Sequence, residues 1–291
     1  MNAFDYAAPQ SVEEAVSLLS ADGDGVGILA GGTDVIAQLK EGRRKLKLLL
    51  DIKKIPETGE LSFDPEVGLR LGASVPCCLI YEHEAVQTHY PALVDSTSLI
   101  GAIQIQSRAS VGGNLCNASP AADTIPTLIA LEAVCQIAGP SGIRELPVED
   151  FCTGPGQNAL EPGEFLVALL FPPPRLYSGA FFNRFIPRNE MDIAVTNAAA
   201  SVVLNDEKTA FVAARVAVGA VAPTPLLVQE AGAALAGQAV SELAIEAAAQ
   251  AARSAARPIS DMRGTVEQRI HLAGVLTRRA IQGAVQRAKE S

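Results

Sequence analysis

The 291-residue chain has no tryptophan, and aromatic residues make up only 4% of it. Aliphatic side chains must therefore fill the core, and hydrophobic residues reach 48% of the sequence, enough for a sizeable one. The chain also lacks an excess of positive charge: its formal net charge is −9. An acidic balance argues against nucleic acid as a partner. We expect two or three compact units that do not bind nucleic acid.

Cysteine and histidine are scarce as well. The five cysteines form an odd set without a C-x-x-C pair, which argues against a disulfide framework, a zinc site or an iron–sulfur cluster held by this chain. The three histidines are too scattered for a metal site or a Ser-His-Asp arrangement. We expect no metal centre and a cytoplasmic protein with free thiols.

Long apolar runs are missing too. No run approaches the roughly 20 residues that span a bilayer. The segment Met1–Tyr6 has neither the basic nor the apolar region of a signal peptide. We therefore expect neither a membrane span nor a secretion signal.

A glycine pair near the N-terminus is the first feature that suggests a binding site. The apolar residues of 26–29 predict a strand, Gly31-Gly32 a turn, and Thr33 or Asp34 the cap of a helix that runs through Lys40. Such a turn leaves backbone N–H groups open to an anionic ligand. It has neither the lysine of a Walker A loop nor the G-x-G-x-x-G spacing of a Rossmann fingerprint. The preceding segment 22–25 predicts a plain loop.

A second glycine pair lies in the polar stretch Ser110–Asp123. Gly112-Gly113 predicts a tight bend with φ above zero, and Asp123 or Thr124 is expected to cap the next helix. The plain alternative is a structural bend without a ligand, with Asp123 serving only as a cap. Because the two glycine loops are far apart in sequence, we expect them to clamp the two ends of one long ligand.

Proline and hydrophobic patterns divide the chain. Residues 56–64 predict a linker between two lobes, at about 1–56 and 57–174, and Pro172–Pro174 predicts a domain boundary. Residues 175–291 contain three predicted strands followed by helices, the first from Leu226, which is typical of an α+β layer domain. Within the second lobe, one helix is predicted over Cys78–Val86.

The A-G-G-T-D sequence at Ala30–Asp34, followed by Ala109–Asn114 and Ala118–Asp123, resembles the FAD-binding medium subunits of molybdenum hydroxylases. These are the flavin subunits of the xanthine dehydrogenase and carbon monoxide dehydrogenase group. The similarity covers nearly the whole chain. Further segments follow in the family's order: Tyr90–Leu93, Arg144 with Pro147–Phe151, Met191–Ala194 and Asp261–Gly264.

The resemblance implies an α+β protein: a two-lobed FAD-binding domain of the vanillyl-alcohol oxidase (PCMH) type and a C-terminal α+β domain of the carbon monoxide dehydrogenase flavoprotein type. It implies non-covalent FAD that passes electrons from the [2Fe–2S] clusters of a small partner subunit to an external acceptor. The molybdenum cofactor would be held by a large partner subunit. The expected assembly is a heterotrimer, doubled by two-fold symmetry.

The glycine loops and the resemblance together also imply the residues that contact FAD. The family usually has Q-I-R-N before the second loop, whereas this chain has Gln104-Ile105-Gln106-Ser107, so we leave Gln106 and Ser107 out of the site. No catalytic residue is assigned. The expected contacts are Leu29, Ala30, Gly31, Gly32, Thr33, Asp34, Val35, Ile100, Ala109, Ser110, Gly112, Gly113, Asn114, Asn117, Ala122, Asp123 and Asp192.

Two other functions stay open at this point. One is a stand-alone flavin oxidoreductase, although no acid–base pair stands near the loops. The other is a non-catalytic assembly subunit with a structural FAD. No histidine lies in the loops and Cys116 is interpreted as a small apolar thiol, so a covalent flavin is not expected. The C-terminal arginines, from Arg253 to Arg279, are either a solvated helix face or a contact surface for an acidic partner.

Overall fold

The computed structural model describes residues 2–22 and 25–291, and the chain is an α+β protein. The loop predicted at 22–25 includes Gly23 and Asp24, which lie outside the described residues. The first part of the chain forms a small parallel sheet with strand order β1-β3-β2. Its elements are β1 (Asp5–Ala7), α1 (Val12–Asp22), β2 (Val26–Leu29), α2 (Val35–Lys40) and β3 (Leu48–Asp51).

Parallel pairing in this sheet determines which residues meet at its edge. Leu29, the last residue of β2, is paired with Asp51, the last residue of β3. Tyr6 in β1 is paired with Leu49. The carboxyl ends of all three strands therefore lie on the same side of the sheet, where the first glycine pair follows β2.

The second part is built on an antiparallel sheet with strand order β4-β5-β10-β6-β7. The Pro140-Ser141 turn joins β6 to β7, as the flanking glycines predict. Short helices pack on this sheet and connect its strands. The elements are α3 (Pro56–Gly59), β4 (Leu61–Asp64), β5 (Gly68–Gly72), α4 (Cys77–Glu82), α5 (Glu84–His89), α6 (Pro91–Thr97), α7 (Ile103–Gln106), α8 (Val111–Cys116), α9 (Thr124–Ala130), β6 (Val134–Gly139), β7 (Gly142–Pro147), β8 (Cys152–Gly154), β9 (Gln157–Asn158) and β10 (Phe165–Phe171).

Two predictions for this part are wrong. The expected linker 56–64 is instead helix α3 followed by strand β4, because Leu61 and Phe63 pair with the buried residues Leu71 and Leu69 of β5. The single helix expected over 78–86 is two helices, α4 and α5. The break falls at His83, whose backbone is extended (φ −76°, ψ 123°).

The third part is an antiparallel sheet, β11-β12-β13-β14, with helices α10, α11 and α12 on one face. Helices α6 and α9 of the second part pack on the other face. The helix predicted from Leu226 begins instead as a short strand. The elements are β11 (Ser178–Phe185), β12 (Thr196–Leu204), β13 (Phe211–Gly219), β14 (Leu226–Leu227), α10 (Gln229–Leu235), α11 (Glu242–Ala255) and α12 (Val266–Glu290).

Strand β12 shows why this sheet is covered on both faces. Ala198 and Ala200 pack into the core beneath α11 and α12, whereas Ala199 between them packs against Ala130 of α9 and Phe182. Alternate residues of a strand point to opposite faces, so a run of small apolar residues can be buried throughout. In the described part of the chain, no helix is long and apolar enough to cross a membrane.

Candidate functional site

The first glycine loop follows β2 and turns the chain into α2. Gly32 has φ +79°, a conformation that favours glycine because it has no Cβ. Thr33 and Asp34 are exposed, and Asp34 precedes α2 without a side-chain capping bond. Within residues 2–22 and 25–291, the N–H groups of Gly31, Gly32, Thr33 and Asp34 have no hydrogen-bond partner. The loop therefore offers four consecutive backbone donors.

The two glycine loops touch each other. A Cβ at Gly31 would lie 1.9 Å from the carbonyl oxygen of Arg108, so only glycine fits at this position. A Cβ at Gly113 would lie 4.0 Å from that of Ala30. The two loops therefore lie side by side, which argues against the expectation that they hold opposite ends of a long ligand.

The second glycine pair is helical. Gly112 and Gly113 lie inside α8 and do not have positive φ, so the predicted bend with φ above zero is wrong. Ser110 caps this helix, because its hydroxyl accepts a hydrogen bond from the Gly113 N–H at 3.1 Å. A Cβ at Gly112 would lie 2.5 Å from the Ala73 carbonyl oxygen. Glycine is required here for close packing between α8 and the chain after β5.

The asparagines of the second stretch are held by side chains from other elements. The Thr124 hydroxyl donates to Asn114 Oδ1 at 2.5 Å, which joins α8 to α9. Gln38 Nε2 donates to Asn117 Oδ1 at 3.3 Å, which joins α2 to the end of α8. Both asparagines stay partly exposed. These contacts hold α8, which contains the second glycine pair, against both α2 and α9.

Asp123 is the N-cap residue of α9, as predicted, but its side chain makes no capping hydrogen bond. Its carboxylate forms an ion pair with Arg184 of β11, and the side chains of both residues are at least 89% buried. Asn197 Nδ2 donates to Asp123 Oδ1 at 3.3 Å and to the Ala122 carbonyl at 3.2 Å. Burial raises the pKa of Asp123 to about 6, although Arg184 and Asn197 act in the opposite direction. The network ties the end of the second stretch to the C-terminal sheet.

The predicted residues Ile100 and Asp192 lie on adjoining segments. The Met191 N–H donates to the Gly101 carbonyl at 3.2 Å, so the segment that follows β11 covers the turn after α6. Asp192 accepts from the Ile193 N–H at 2.9 Å and from the Arg188 N–H at 3.2 Å. The backbone contact of Met191 brings Asp192 close to the turn at Ile100.

Several predicted residues contribute packing rather than open surface. The side chains of Val35, Ala109 and Ala122 are buried. Leu29 ends β2 and is half buried. A separate groove of about 350 Å³ lies between Pro172–Pro174 and Arg287, and no predicted site residue lines it. The described structure therefore does not connect this groove with the glycine loops.

Sequence reasoning missed three side chains that hold the site in place. Gln106, left out on the departure from the family pattern, is 5% exposed and donates to the carbonyls of Ser98 (2.8 Å) and Ile100 (3.2 Å). Arg184 holds Asp123. Lys53 donates to the carbonyl of Ala30 at 3.0 Å. Its position just beyond the strand that follows β2 is the signal that could have identified it, because the carboxyl ends of parallel strands share an edge.

The thiols and the arginines take ordinary structural roles. Burial raises the pKa of the Cys116 thiol to about 12, so it is not a reactive thiolate at neutral pH. Glu246 forms ion pairs with both Arg253 and Arg278, and Arg269 pairs with Asp261 at 2.8 Å. The Glu246 pairs favour a solvated helix face over a partner surface for Arg253 and Arg278, whereas Arg269 is buried and belongs to neither. Among the described residues, no group of three or more His, Cys, Asp or Glu is arranged to hold a metal ion.

Comparison with known proteins adds to this geometry. Residues 2–174 match the family model of the FAD-binding domain in molybdopterin dehydrogenase, and residues 182–284 match the C-terminal domain of carbon monoxide dehydrogenase flavoproteins. The chain is 33% identical over 288 residues to the carbon monoxide dehydrogenase medium chain of Afipia carboxidovorans, covering 98% of both. It is 32% identical over 286 residues to a xanthine dehydrogenase FAD-binding subunit of Escherichia coli O157:H7, covering 97% of both.

A solved structure agrees with these matches. The carbon monoxide dehydrogenase of Hydrogenophaga pseudoflava, in a form that lacks the Mo-pyranopterin moiety of the molybdenum cofactor, contains a chain that superposes with a TM-score of 0.94. That chain is 30% identical, and 98% of each chain is covered. The fold is thus that of a flavoprotein subunit with an FAD-binding domain. The chain belongs to the FAD-binding medium subunits of the molybdenum hydroxylases.

Proposed function

We propose that this chain binds FAD non-covalently against the surface formed by its two glycine loops. One observation carries this proposal: within the described residues, the four N–H groups from Gly31 to Asp34 have no hydrogen-bond partner. They stand beside the second loop, where a Cβ at Gly31 would collide with Arg108. Such an array suits the pyrophosphate of a dinucleotide, because backbone N–H groups bind anions without any basic side chain.

The rest of the predicted contacts would complete this site. Asn114 and Asn117, within and at the end of α8, are partly exposed and would offer polar groups, whereas the buried Ser110 would fix the start of that helix. Ile100 and Asp192 stand on the two segments that Met191 joins. We assign FAD, rather than a mononucleotide, because the family model that matches residues 2–174 is an FAD-binding domain.

We propose that the subunit serves as the exit of an electron relay. Bound FAD supplies the capacity to take up electrons one at a time and to deliver two. This chain has no cysteine spacing for an iron–sulfur cluster, so the [2Fe–2S] clusters and the molybdenum cofactor would belong to a small and a large partner subunit. We expect a dimer of heterotrimers, and a cytoplasmic location is supported by five free thiols.

We also propose a domain boundary at Pro174, with an FAD-binding domain at 1–174 in two lobes and a C-terminal domain at 175–291. The change from the sheet that ends with β10 to the sheet that begins with β11 supports this division. The two family models, which end at residue 174 and begin at residue 182, support it as well.

The test is expression of the chain alone and together with its large and small partner subunits. The isolated chain should be yellow, should release FAD into the supernatant on acid precipitation, and should accept electrons from dithionite without hydroxylating any substrate. Hydroxylation should require all three subunits. Flavin that stays with the precipitate contradicts non-covalent binding. Substrate turnover by the isolated chain supports a stand-alone oxidoreductase instead, and a complex that turns over equally well without FAD supports a structural role.

A further inference from the structure

The carbonyl group of Ala30 has a charged partner from a distant part of the chain. Lys53 Nζ donates to this oxygen at 3.0 Å, although the two residues are separated by 23 positions. The first glycine loop itself contains no basic residue. Lys53 therefore brings a positive charge to a loop that lacks one.

Lys53 is held in this position by two further side chains. Its ammonium group donates to Asp51 Oδ1 at 2.7 Å, and its backbone N–H donates to the same oxygen at 3.1 Å. The Tyr6 hydroxyl donates to Asp51 Oδ2 at 2.7 Å. Burial alone would raise the pKa of Asp51, but the hydrogen bonds from Lys53 and Tyr6 lower it, so the carboxylate is charged at neutral pH.

The strand register explains why these groups meet. Asp51 ends β3 directly opposite Leu29, the residue before Ala30, and Tyr6 lies on the neighbouring strand β1. Asp51 is only 8% exposed, whereas the Lys53 side chain is 35% exposed. The ion pair is thus anchored at its acidic end and faces solvent at the lysine.

The contact matters because of the geometry of a peptide bond. In a trans peptide the C=O and the N–H point in opposite directions. The peptide between Ala30 and Gly31 has Lys53 on its carbonyl side, so the Gly31 N–H points away from Lys53. That N–H is the first of the four donors without a partner in the described structure. Rotation of this peptide would break the Lys53 contact and turn the donor away.

We propose that Lys53 is a positioning residue for the FAD pyrophosphate: it holds the Ala30–Gly31 peptide with the Gly31 N–H facing the anion, and it adds positive charge beside the loop. The role rests on the proposed FAD site. The plain alternative is an ordinary surface ion pair with Asp51, which would contribute little to stability and nothing to binding. The hydrogen bond from Lys53 to the Ala30 carbonyl distinguishes the two roles, because an ordinary ion pair with Asp51 would not need it.

The test compares Lys53→Met with Lys54→Met, a matched control that removes the same charge from the next, exposed residue. We expect Lys53→Met to raise the Kd for FAD about tenfold at low salt, the effect of losing one charge-assisted hydrogen bond. Its Kd should also depend less on salt concentration, because one cation near the ligand is gone. Lys53→Arg should stay within about threefold of the wild type, since its guanidinium can still donate to the carbonyl. Lys54→Met should match the wild type.

Different outcomes separate the two proposals. A wild-type chain that binds no FAD contradicts the proposed function itself, and Lys53 then has no ligand to position. A wild-type chain that binds FAD, with Lys53→Met binding equally well or Lys54→Met losing as much, overturns the role of Lys53 alone. If Lys53→Met does not fold, Tyr6→Phe provides the test instead. This substitution at an exposed residue removes the hydrogen bond that the Tyr6 hydroxyl donates to Asp51, and so loosens the anchor of Lys53. We expect a two- to threefold higher Kd at low salt for that variant, and an unchanged Kd overturns the proposal.

Discussion

The two glycine loops share a glycine pair but need their glycines for different reasons. In the first loop, Gly32 adopts a positive φ, and Gly31 lets the backbone approach Arg108. In the second, both glycines are helical, and Gly112 lets α8 pack against Ala73. The first loop has open N–H groups, whereas the Gly113 N–H of the second is bonded to Ser110.

The difference teaches that a glycine pair does not by itself specify a conformation. Gly-Gly was interpreted as a turn in both places, because a glycine pair is most often found where the chain needs a positive φ. In α8 the glycines instead reduce helix propensity, a cost of about 1 kcal/mol each relative to alanine. The close contact with Ala73 accounts for that cost at Gly112. The same two glycines therefore accompany open backbone N–H groups in the first loop of the described structure and close packing in the second.

The largest effect is expected for Gly31→Ala. The new Cβ would lie 1.9 Å from the backbone oxygen of Arg108, so the two loops must move apart. Overpacking of this kind costs about 3 kcal/mol, and we expect FAD affinity to fall about 100-fold. Titration of the apoprotein with FAD, followed by flavin fluorescence, measures the change. Wild-type affinity in this variant would mean that contact between the loops is not needed for binding.

A smaller effect of another kind is expected for Gly112→Ala. The added Cβ would lie 2.5 Å from the Ala73 carbonyl oxygen, inside the packed region between α8 and the large antiparallel sheet. We expect the free energy of unfolding to fall by about 1–3 kcal/mol, measured by urea denaturation. FAD affinity of the folded variant should change much less than in Gly31→Ala. If instead the FAD affinity of this variant falls 100-fold with unchanged stability, the contrast between the loops does not hold.

The smallest effect is expected at Gly32, where the choice of substituent sharpens the comparison. Gly32→Asn should lower FAD affinity only a fewfold, because asparagine tolerates positive φ, whereas Gly32→Val should lower it about tenfold or more. Gly113→Asn is the matched variant at the helical position. Because φ is not positive there, the tolerance of asparagine for positive φ should give this variant no advantage in FAD affinity. Calorimetric FAD titration of the three variants gives the order. Equal affinities of Gly32→Asn and Gly32→Val would show that φ at residue 32 is unimportant.

Much of the fold followed from local patterns. The helices α11 and α12 of the C-terminal domain were predicted, because their hydrophobic period is encoded within one segment. The strand at Leu61 was missed because its partner β5 is what makes it a strand. Helix α8 was missed because helix formation at Gly112 depends on Ser110 as cap and on Ala73 as neighbour.

The sequence alone determined those helices and strands whose pattern lies within one segment, and the order of the family's segments, since both are properties of neighbouring residues. The tertiary structure alone decided which side chains meet. Asp123 and Arg184 are 61 positions apart, and Ala30 and Lys53 are brought together by the register of parallel strands. No local pattern encodes such contacts, because they depend on how strands and helices pack. Whether the side chain of Asp123 bonds to its own helix or to the C-terminal sheet was therefore decided only by the buried Arg184 beside it.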